Sequence, residues 1–494
     1  MKNIFIPICS LFFLLGCKGI KKDDVVQNST RSHQESKRPN IVFILADDLG
    51  NSDLGFTGSD LHQTPNLDKL AKESMYFDHG MSAHPTCQPS RIAIQTGKFP
   101  AHVGAVSHGD LRQVTGNGNE LPKEEVTIGT ALNMAGYNTG HIGKWHVGTG
   151  ENSPENRGYE VDIASNQFCC PPNYFAPFIT TAHGDYRDEL ANIQGLEEYP
   201  DGFNLTDALS MEAAKFIKSQ NGEKPFFLNL AFYAVHTPIQ GKKNLVDKYK
   251  KLIKPTSRHR NPTYAAMVET LDDGVGRVLK ALKDAGLEDN TIVVFTSDNG
   301  GANYMNITDN YPLREGKGSS YEGGYRVPVI VKWPGVTKPN SISHERIIGY
   351  DFYPSFLSIA HAEGNKKYNE ELDGIDITPV LINPASKLAT REFHFLKYLS
   401  LIHYKIPIVD RNRCVETVIN GDWKLMEFLP MPDNYEGHFE LYNLKNDPAE
   451  TTNLVSIHPE KVEELKASME EWKVRIDAPR YDMEKFYGEN KTND

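Results

Sequence analysis

Four short apolar runs set the first limit on the fold: Ile41–Leu45, Phe226–Phe232, Ile292–Phe295 and Val327–Val331. Each is rich in β-branched or aromatic residues, and none alternates with polar ones. A sheet with one wet face would alternate, whereas strands covered on both faces read as continuous apolar runs. Helical patterns lie between them. Thr64 can cap a helix with Pro65 at its first position, and Leu67, Leu70, Ala71 and Met75 make one apolar face. Tyr264–Leu282 repeats Met267, Leu271, Val275, Val278 and Leu282 at helical spacing. Alternating strands and helices predict an α/β fold with a large, mostly parallel central sheet flanked by helices.

A chain of 494 residues has room for a smaller second unit as well. After about residue 385 the texture changes. Thr417–Leu425 centres on Asn420-Gly421, a strong hairpin signal. Pro459 opens a helix on which Val462, Leu465, Met469, Trp472 and Ile476 recur. The main domain is placed at residues 39–385. A smaller C-terminal α+β subdomain, an antiparallel sheet with one helix, is placed at 386–494.

The first residues read as an export signal. Lys2 supplies a charge, Ile4–Leu15 is a short apolar run, and Leu14-Leu15-Gly16-Cys17 ends it. That ending resembles a bacterial lipobox. It makes 1–16 a lipoprotein signal peptide, Cys17 the lipidated first residue of the mature chain, and 17–38 a flexible polar tether. The expectation is a lipid-anchored protein of the cell envelope, in the outer membrane of a Gram-negative bacterium. Of six cysteines, Cys9 leaves with the signal and Cys17 carries lipid, so Cys87, Cys169, Cys170 and Cys414 remain in an oxidising compartment. Cys169 and Cys170 are adjacent, and either could pair with Cys414 or Cys87.

The formal net charge is −12, which excludes a general basic field for nucleic acid. An anionic substrate would need local cations or a metal. Ligands in open α/β sheets collect beyond the carboxyl ends of the strands, and chemistry-bearing residues accumulate there. Asp47-Asp48 follow the first run directly, and Asp298-Asn299 follow Thr291–Thr296. Three carboxylates and an amide at one sheet edge suit a hard cation, Ca²⁺ or Mg²⁺, better than zinc. His236 follows the Phe226–Phe232 run. Lys144 and His146 follow Tyr137–Ile142, and in extended chain they would share a face, with Trp145 opposite. In Cys87-Gln88-Pro89-Ser90-Arg91, Pro89 and Ser90 suit the first turn of a helix, placing Cys87 just before its N-terminus. A thiol there is a nucleophile, part of an anion site, or half of a disulfide.

The segment Cys87-x-Pro-Ser-Arg-x-x-x-x-Thr96-Gly97 resembles the signature of the formylglycine-dependent (type I) sulfatases of the alkaline phosphatase superfamily. Gly143–His146, Thr296–Gly300, Gly316–Gly318, Glu322–Pro328 and Leu441–Glu450 match further blocks of that family, in its order. The resemblance spans about residues 38–475. It makes the main domain catalytic and implies a maturation enzyme that oxidises Cys87 to formylglycine, whose hydrate attacks sulfur. It also implies a cation held by Asp47, Asp48, Asp298, Asn299 and residue 87. Arg91, Lys144 and Lys317 would hold the sulfate oxygens, His236 would protonate the departing sugar oxygen, and His146 would take the proton that expels sulfate. The implied substrate is a sulfated polysaccharide or its oligosaccharides, with algal glycans such as ulvan or carrageenan first and host glycosaminoglycans second. Two other readings are a phosphonate or phosphate monoester hydrolase with the same cysteine motif, and a non-catalytic glycan-binding lipoprotein. Substrate contacts are expected from the Phe168–Phe175 loop, whose aromatics could stack on sugars, and from Tyr186-Arg187.

Overall fold

The computed structural model describes residues 38–106, 120–179, 192–398, 413–431 and 435–482. The export segment, Cys9, Cys17, nearly all of the tether and the Tyr186-Arg187 pair lie outside the described residues.

Among the described residues the main domain contributes ten strands: β1 (Asn40–Ala46), β2 (Met75–Phe77), β3 (Gly80–Met81), β4 (Asn138–Gly143), β5 (Val161–Ile163), β6 (Phe226–Ala231), β7 (Thr291–Ser297), β8 (Val329–Lys332), β9 (Ser341–Ser343) and β10 (Ile347–Ile348). Eight of them form one sheet in the order β5-β4-β6-β1-β7-β8-β2-β9, while β3 pairs with β10. From β5 to β7 every pairing is parallel. The second half of the Val327–Val331 run lies in β8, which is antiparallel to both β7 and β2. It reads like the parallel strands because burial on both faces, not direction, produces an unbroken apolar run.

Alternate residues of β1 enter two different cores. Val42 and Ile44 pack with Leu228, Leu230 and the Met267, Leu271 and Val275 stripe of the Pro262–Asp284 helix. Ile41, Phe43 and Leu45 face the other way, onto Phe227, Ile292, Val294, Phe352 and Phe356. Helices therefore cover both faces, as the sequence predicts.

Two local expectations at α1 (Pro65–Lys72) are corrected. The helix ends before Met75, which lies in β2. Thr64 precedes it without capping it: its hydroxyl accepts from the Gly55 N–H (2.8 Å) and donates to Asp68 Oδ1 (2.9 Å).

The C-terminal sheet is fully antiparallel, in the order β11 (Glu392–Lys397), β12 (Val415–Asn420), β13 (Trp423–Phe428), β14 (His438–Asn443). Asn420 pairs with Trp423, so the hairpin turn is Gly421-Asp422, one residue later than the Asn-Gly signal places it. Gly421 takes the positive φ (+58°) that such a turn requires. Val462, Leu465 and Met469 of the Pro459–Arg475 helix pack on Val418, Leu425 and Leu441. Ile476 follows the helix as its cap. A shared core, in which Ala93, Phe99 and Tyr350 meet Phe393, Phe428 and Trp472, joins this sheet to the main domain.

Candidate active site

The register of the central sheet builds the site. Ala46 of β1 lies opposite Ser297 of β7, so Asp47-Asp48 and Asp298-Asn299 leave the sheet side by side. The Asp298 N–H donates to the Ala46 carbonyl (3.1 Å), which extends the ladder by one step. On the other flank of β1, the Asp47 N–H donates to the Ala234 carbonyl (2.9 Å) and Val235 donates back to Asp47 (2.7 Å), bringing His236 to the same edge. The Lys144 N–H donates to the carbonyl of Ala231, the last residue of β6 (2.8 Å). Two close approaches need glycine. A Cβ on Gly143, at φ +100°, would lie 2.0 Å from the Ala231 carbonyl oxygen, and one on Gly300 would lie 1.8 Å from that of Gly323.

Cys87 and Arg91 come from α2 (Cys87–Thr96). Cys87 is the first helical residue, not the one before it, and Arg91 lies one turn on, on the same face. The Gly318 N–H donates to the Pro85 carbonyl (2.7 Å), tying the Lys317 turn to the segment that leads into the helix.

The side chains pair by charge. Arg91 Nε donates to Asp298 Oδ2 (2.7 Å) and its Nη1 to the Lys144 carbonyl (2.9 Å). Lys144 Nζ meets Asp47 Oδ2 at 2.6 Å, and Lys317 Nζ meets Asp48 Oδ2 at 2.7 Å. Asn299 Nδ2 donates to Asp48 Oδ1 (2.9 Å). Cys87 Sγ lies within 4.8 Å of carboxylate oxygens of both Asp47 and Asp298. His236 Nδ1 donates to the Thr237 carbonyl (2.8 Å), and its Nε2 stands 3.5 Å from Asp48 Oδ2. His146 sits two residues beyond Lys144, buried, with its N–H on the Asn166 carbonyl (3.0 Å). The extended alternation assumed for 144–146 does not occur, because β4 ends at Gly143 and His146 adopts φ +61°. Trp145 instead turns inward, donating to the Asn152 carbonyl (2.7 Å).

Burial and the neighbouring Asp298 push the Asp47 carboxyl well above the usual carboxylate range, against the pull of Lys144. Burial also raises Asp298, although Arg91 opposes it. At Asp48 burial acts upward too, but His236 and Lys317 outweigh it and hold the group low. Burial drives the His236 imidazole down to about 3.

The residues fit a hard cation. Asp47 Oδ1 and Asn299 Oδ1 are buried oxygens without a hydrogen-bond partner, and Asp47 stands close enough to share an ion with Cys87 and Asp298 on one side and with Asp48 and His236 on the other. A buried acceptor left unpaired is costly, and a coordinated cation would satisfy both.

Sequence reasoning missed two residues that position His236. Thr237, its chain neighbour, fixes the ring through its carbonyl. Tyr174, counted among the sugar-stacking aromatics, is buried, and its hydroxyl lies within hydrogen-bonding reach of the Tyr233 (2.5 Å) and His236 (2.9 Å) carbonyls. Nothing in the sequence signals that contact, since the two segments are about sixty residues apart.

Comparison with known proteins agrees with this geometry. Residues 39–362 match the family model described as Sulfatase, and residues 316–477 match that of N-sulphoglucosamine sulphohydrolase, C-terminal. A sulfatase of Formosa agariphila is 31% identical, with 93% of each chain covered. Human N-acetylgalactosamine-6-sulfatase is 32% identical over 70% of this chain and 66% of its own. The solved structure of Ps i-CgsB superposes with a TM-score of 0.74 at 32% identity, covering 88% of this chain and 93% of that one. With its mostly parallel sheet and this cluster at the sheet edge, the chain belongs to the type I sulfatases of the alkaline phosphatase superfamily and is a sulfuric ester hydrolase.

Proposed function

We propose that this enzyme removes sulfate from a sulfated polysaccharide or its oligosaccharides, an algal glycan of the carrageenan or ulvan kind first of all, with Cys87 converted to formylglycine. The observation that carries the reading is the one-to-one cluster of three carboxylates and three cations around Cys87. The carrageenan preference is supported by Ps i-CgsB, also solved in complex with k-i-k-neocarrahexaose, which at 31% identity covers 90% of this chain and has a TM-score of 0.74.

Arg91, Lys144 and Lys317 are placed to hold the sulfate oxygens and to stabilise charge as the S–O bond breaks. His236 Nε2, protonated when the sulfate anion beside the ring favours the imidazolium, is the group to hand a proton to the departing sugar oxygen, its ring held by Thr237 and its backbone by Tyr174. His146 takes up the proton whose removal releases sulfate from residue 87. The modified residue 87 supplies a hydrated aldehyde as nucleophile. Asp47, Asp48, Asp298, Asn299 and residue 87 would hold Ca²⁺, or else Mg²⁺, which would supply Lewis-acid charge stabilisation there. The acidic protein thus needs no basic surface to bind sulfate.

The test is sulfate release from a panel of defined sulfated oligosaccharides, by full-length protein produced with a formylglycine-generating enzyme, alongside peptide mass analysis at position 87. Cleavage of a paired phosphate ester without release from any sulfated substrate would sink the reading, as would an unmodified thiol in active protein. We further propose that Cys17 carries the lipid anchor to the cell envelope. Cys17→Ser should then release the enzyme from the membrane fraction, and an unchanged fraction would contradict the anchor.

A further inference from the structure

We infer that Cys169 and Cys170 close on each other as a vicinal disulfide, and that the closed pair stiffens the wall of the sulfate site facing the substrate's sugar. The second half rests on the glycan reading above; the first half does not.

The sequence leaves each of these cysteines able to reach Cys414 or Cys87, and the structure gives those two other surroundings. Cys87 Sγ faces Asp47 and Asp298, and Cys414 is buried in the C-terminal core among Val415, Phe428 and Leu429. Cys169 Sγ and Cys170 Sγ lie 3.1 Å apart, both only partly buried and open to an oxidant.

Their loop is fastened to both candidate proton carriers. At one end, Asn166 accepts the His146 N–H (3.0 Å) and Gln167 Oε1 accepts the Gly148 N–H (2.5 Å). At the other end, the Tyr174 hydroxyl reaches the His236 carbonyl (2.9 Å), while its N–H donates to Gln240 Oε1 (2.7 Å). The cysteine pair sits between these anchors, close enough for Cys170 to feel the charges of Lys144, Asp47 and Lys317. A ring closed through adjacent residues removes backbone freedom from the stretch of this loop between those anchors. Less ordering is then left to be done when a sugar binds.

Closure by disulfide exchange balances. One thiolate attacks oxidised glutathione and expels one glutathione thiol. The second thiolate then attacks the mixed disulfide and expels the other, giving one protein disulfide and two reduced glutathiones.

The full-length protein is equilibrated with excess oxidised over reduced glutathione, alkylated without reduction, and digested. The peptide carrying Cys169 and Cys170 should appear unalkylated, two hydrogens lighter than its dithiol form, and should take two alkyl groups after reduction. Alkylation of both sulfurs before reduction, a mixed disulfide on either, or a cross-link to Cys414 or Cys87 would each overturn the assignment. This mass measurement is independent of sulfatase activity. The wall's role is read from kinetics on a sulfated oligosaccharide: Cys169→Ser/Cys170→Ser should raise KM about three- to tenfold, by a larger factor than it lowers kcat. A disulfide seen by mass, with KM unmoved in the double variant, would leave the bond standing and overturn its role in the wall.

Discussion

Lys424 on β13 is fully buried and holds two glutamates, Glu322 Oε1 at 3.0 Å and Glu450 Oε1 at 2.8 Å. Glu322 belongs to the main domain, five residues after Lys317, and its N–H also donates to Glu450 Oε2 (2.6 Å). The triad thus ties the C-terminal sheet to the segment that carries a sulfate-binding lysine. Lys424→Met would leave Glu450 without its cation and Glu322 with Arg326 alone (3.3 Å). Breaking a buried pair from one side typically costs about 3–5 kcal/mol. At roughly 2 °C per kcal/mol for a large chain, the thermal midpoint should fall by about 6–10 °C.

The loss should depend on pH in a definite sense. Burial, aided by Glu322 and opposed by Lys424, pushes Glu450 up to about 7, while Lys424 and Arg326 overcome burial and hold Glu322 near 2. A carboxyl raised in the folded state contributes stability that is complete below its unfolded pKa and fades as pH rises through the folded one. At pH 5 Glu450 is already protonated, so the lysine's removal only weakens the hold on Glu322, which keeps Arg326; at pH 8 it also strands an ionised Glu450. The defect should therefore grow with pH, by up to about 1.4 kcal/mol per pH unit for each extra proton the variant must keep. Thermal melts of wild type and variant from pH 5 to 8.5 would measure it. The triple variant Glu322→Gln/Lys424→Met/Glu450→Gln, which removes all three charges, should recover much of the midpoint. A Lys424→Met defect below about 1 kcal/mol, or one flat across that range, would refute the reasoning.

Three further outcomes follow from the site. His236→Ala should cost about 10²–10⁴-fold on a sulfated sugar but far less on an activated aryl sulfate, whose leaving group needs little protonation; equal losses would remove His236 from that role. Exhaustive chelation should abolish turnover, with Ca²⁺ or Mg²⁺ restoring it, whereas restoration by Zn²⁺ alone would contradict an oxygen ligand set. Gly143→Ala and Gly58→Ala share a left-handed φ (+100° and +103°), but only at Gly143 does the new Cβ meet backbone, the Ala231 carbonyl. Gly143→Ala should lose at least about 2 kcal/mol more stability, together with most turnover, and similar melts for the two variants would show that the close approach does not matter.

Much of the site was legible because its groups ride on features that sequence reports well. An unbroken apolar run marks a doubly covered strand, and the polar residues that end it fall at the ligand-binding edge, which located Asp47, Asp48, Asp298 and Asn299. Arg91 needed only the helix, whereas Cys87, expected just before the first turn, lies within it. What sequence could not report were contacts decided by long-range packing or by single backbone dihedrals. β8 has the run of a parallel strand and the opposite direction. His146 departs from extended alternation at one left-handed residue. Tyr174 looks like a loop aromatic until a partner segment about sixty residues away is folded against its hydroxyl.

The unpaired atoms of the site carry the last step. In a buried cluster every polar group needs a partner, and an orphan marks where something else belongs. Arg91, Lys144 and Lys317 each hold one of Asp298, Asp47 and Asp48, so the resting cluster is close to neutral inside a chain of net charge −12. The orphans nevertheless sort by sign. Asp47 Oδ1 and Asn299 Oδ1 are acceptors with nothing to accept from. Arg91 Nη2 is a buried donor with nothing to donate to, 4.0 Å from Asp47 Oδ1. The acceptors ask for a cation and the donor asks for an anion, and Cys87 Sγ lies within 4.8 Å of Asp47 and Asp298, the carboxylates that Lys144 and Arg91 hold. Single orphans also lie elsewhere in the fold, Thr417 Oγ1 and Trp472 Nε1 among them, but at this edge acceptors and a donor stand within one cluster. That cluster leaves open a place for each of the two charges that sulfate ester hydrolysis brings together.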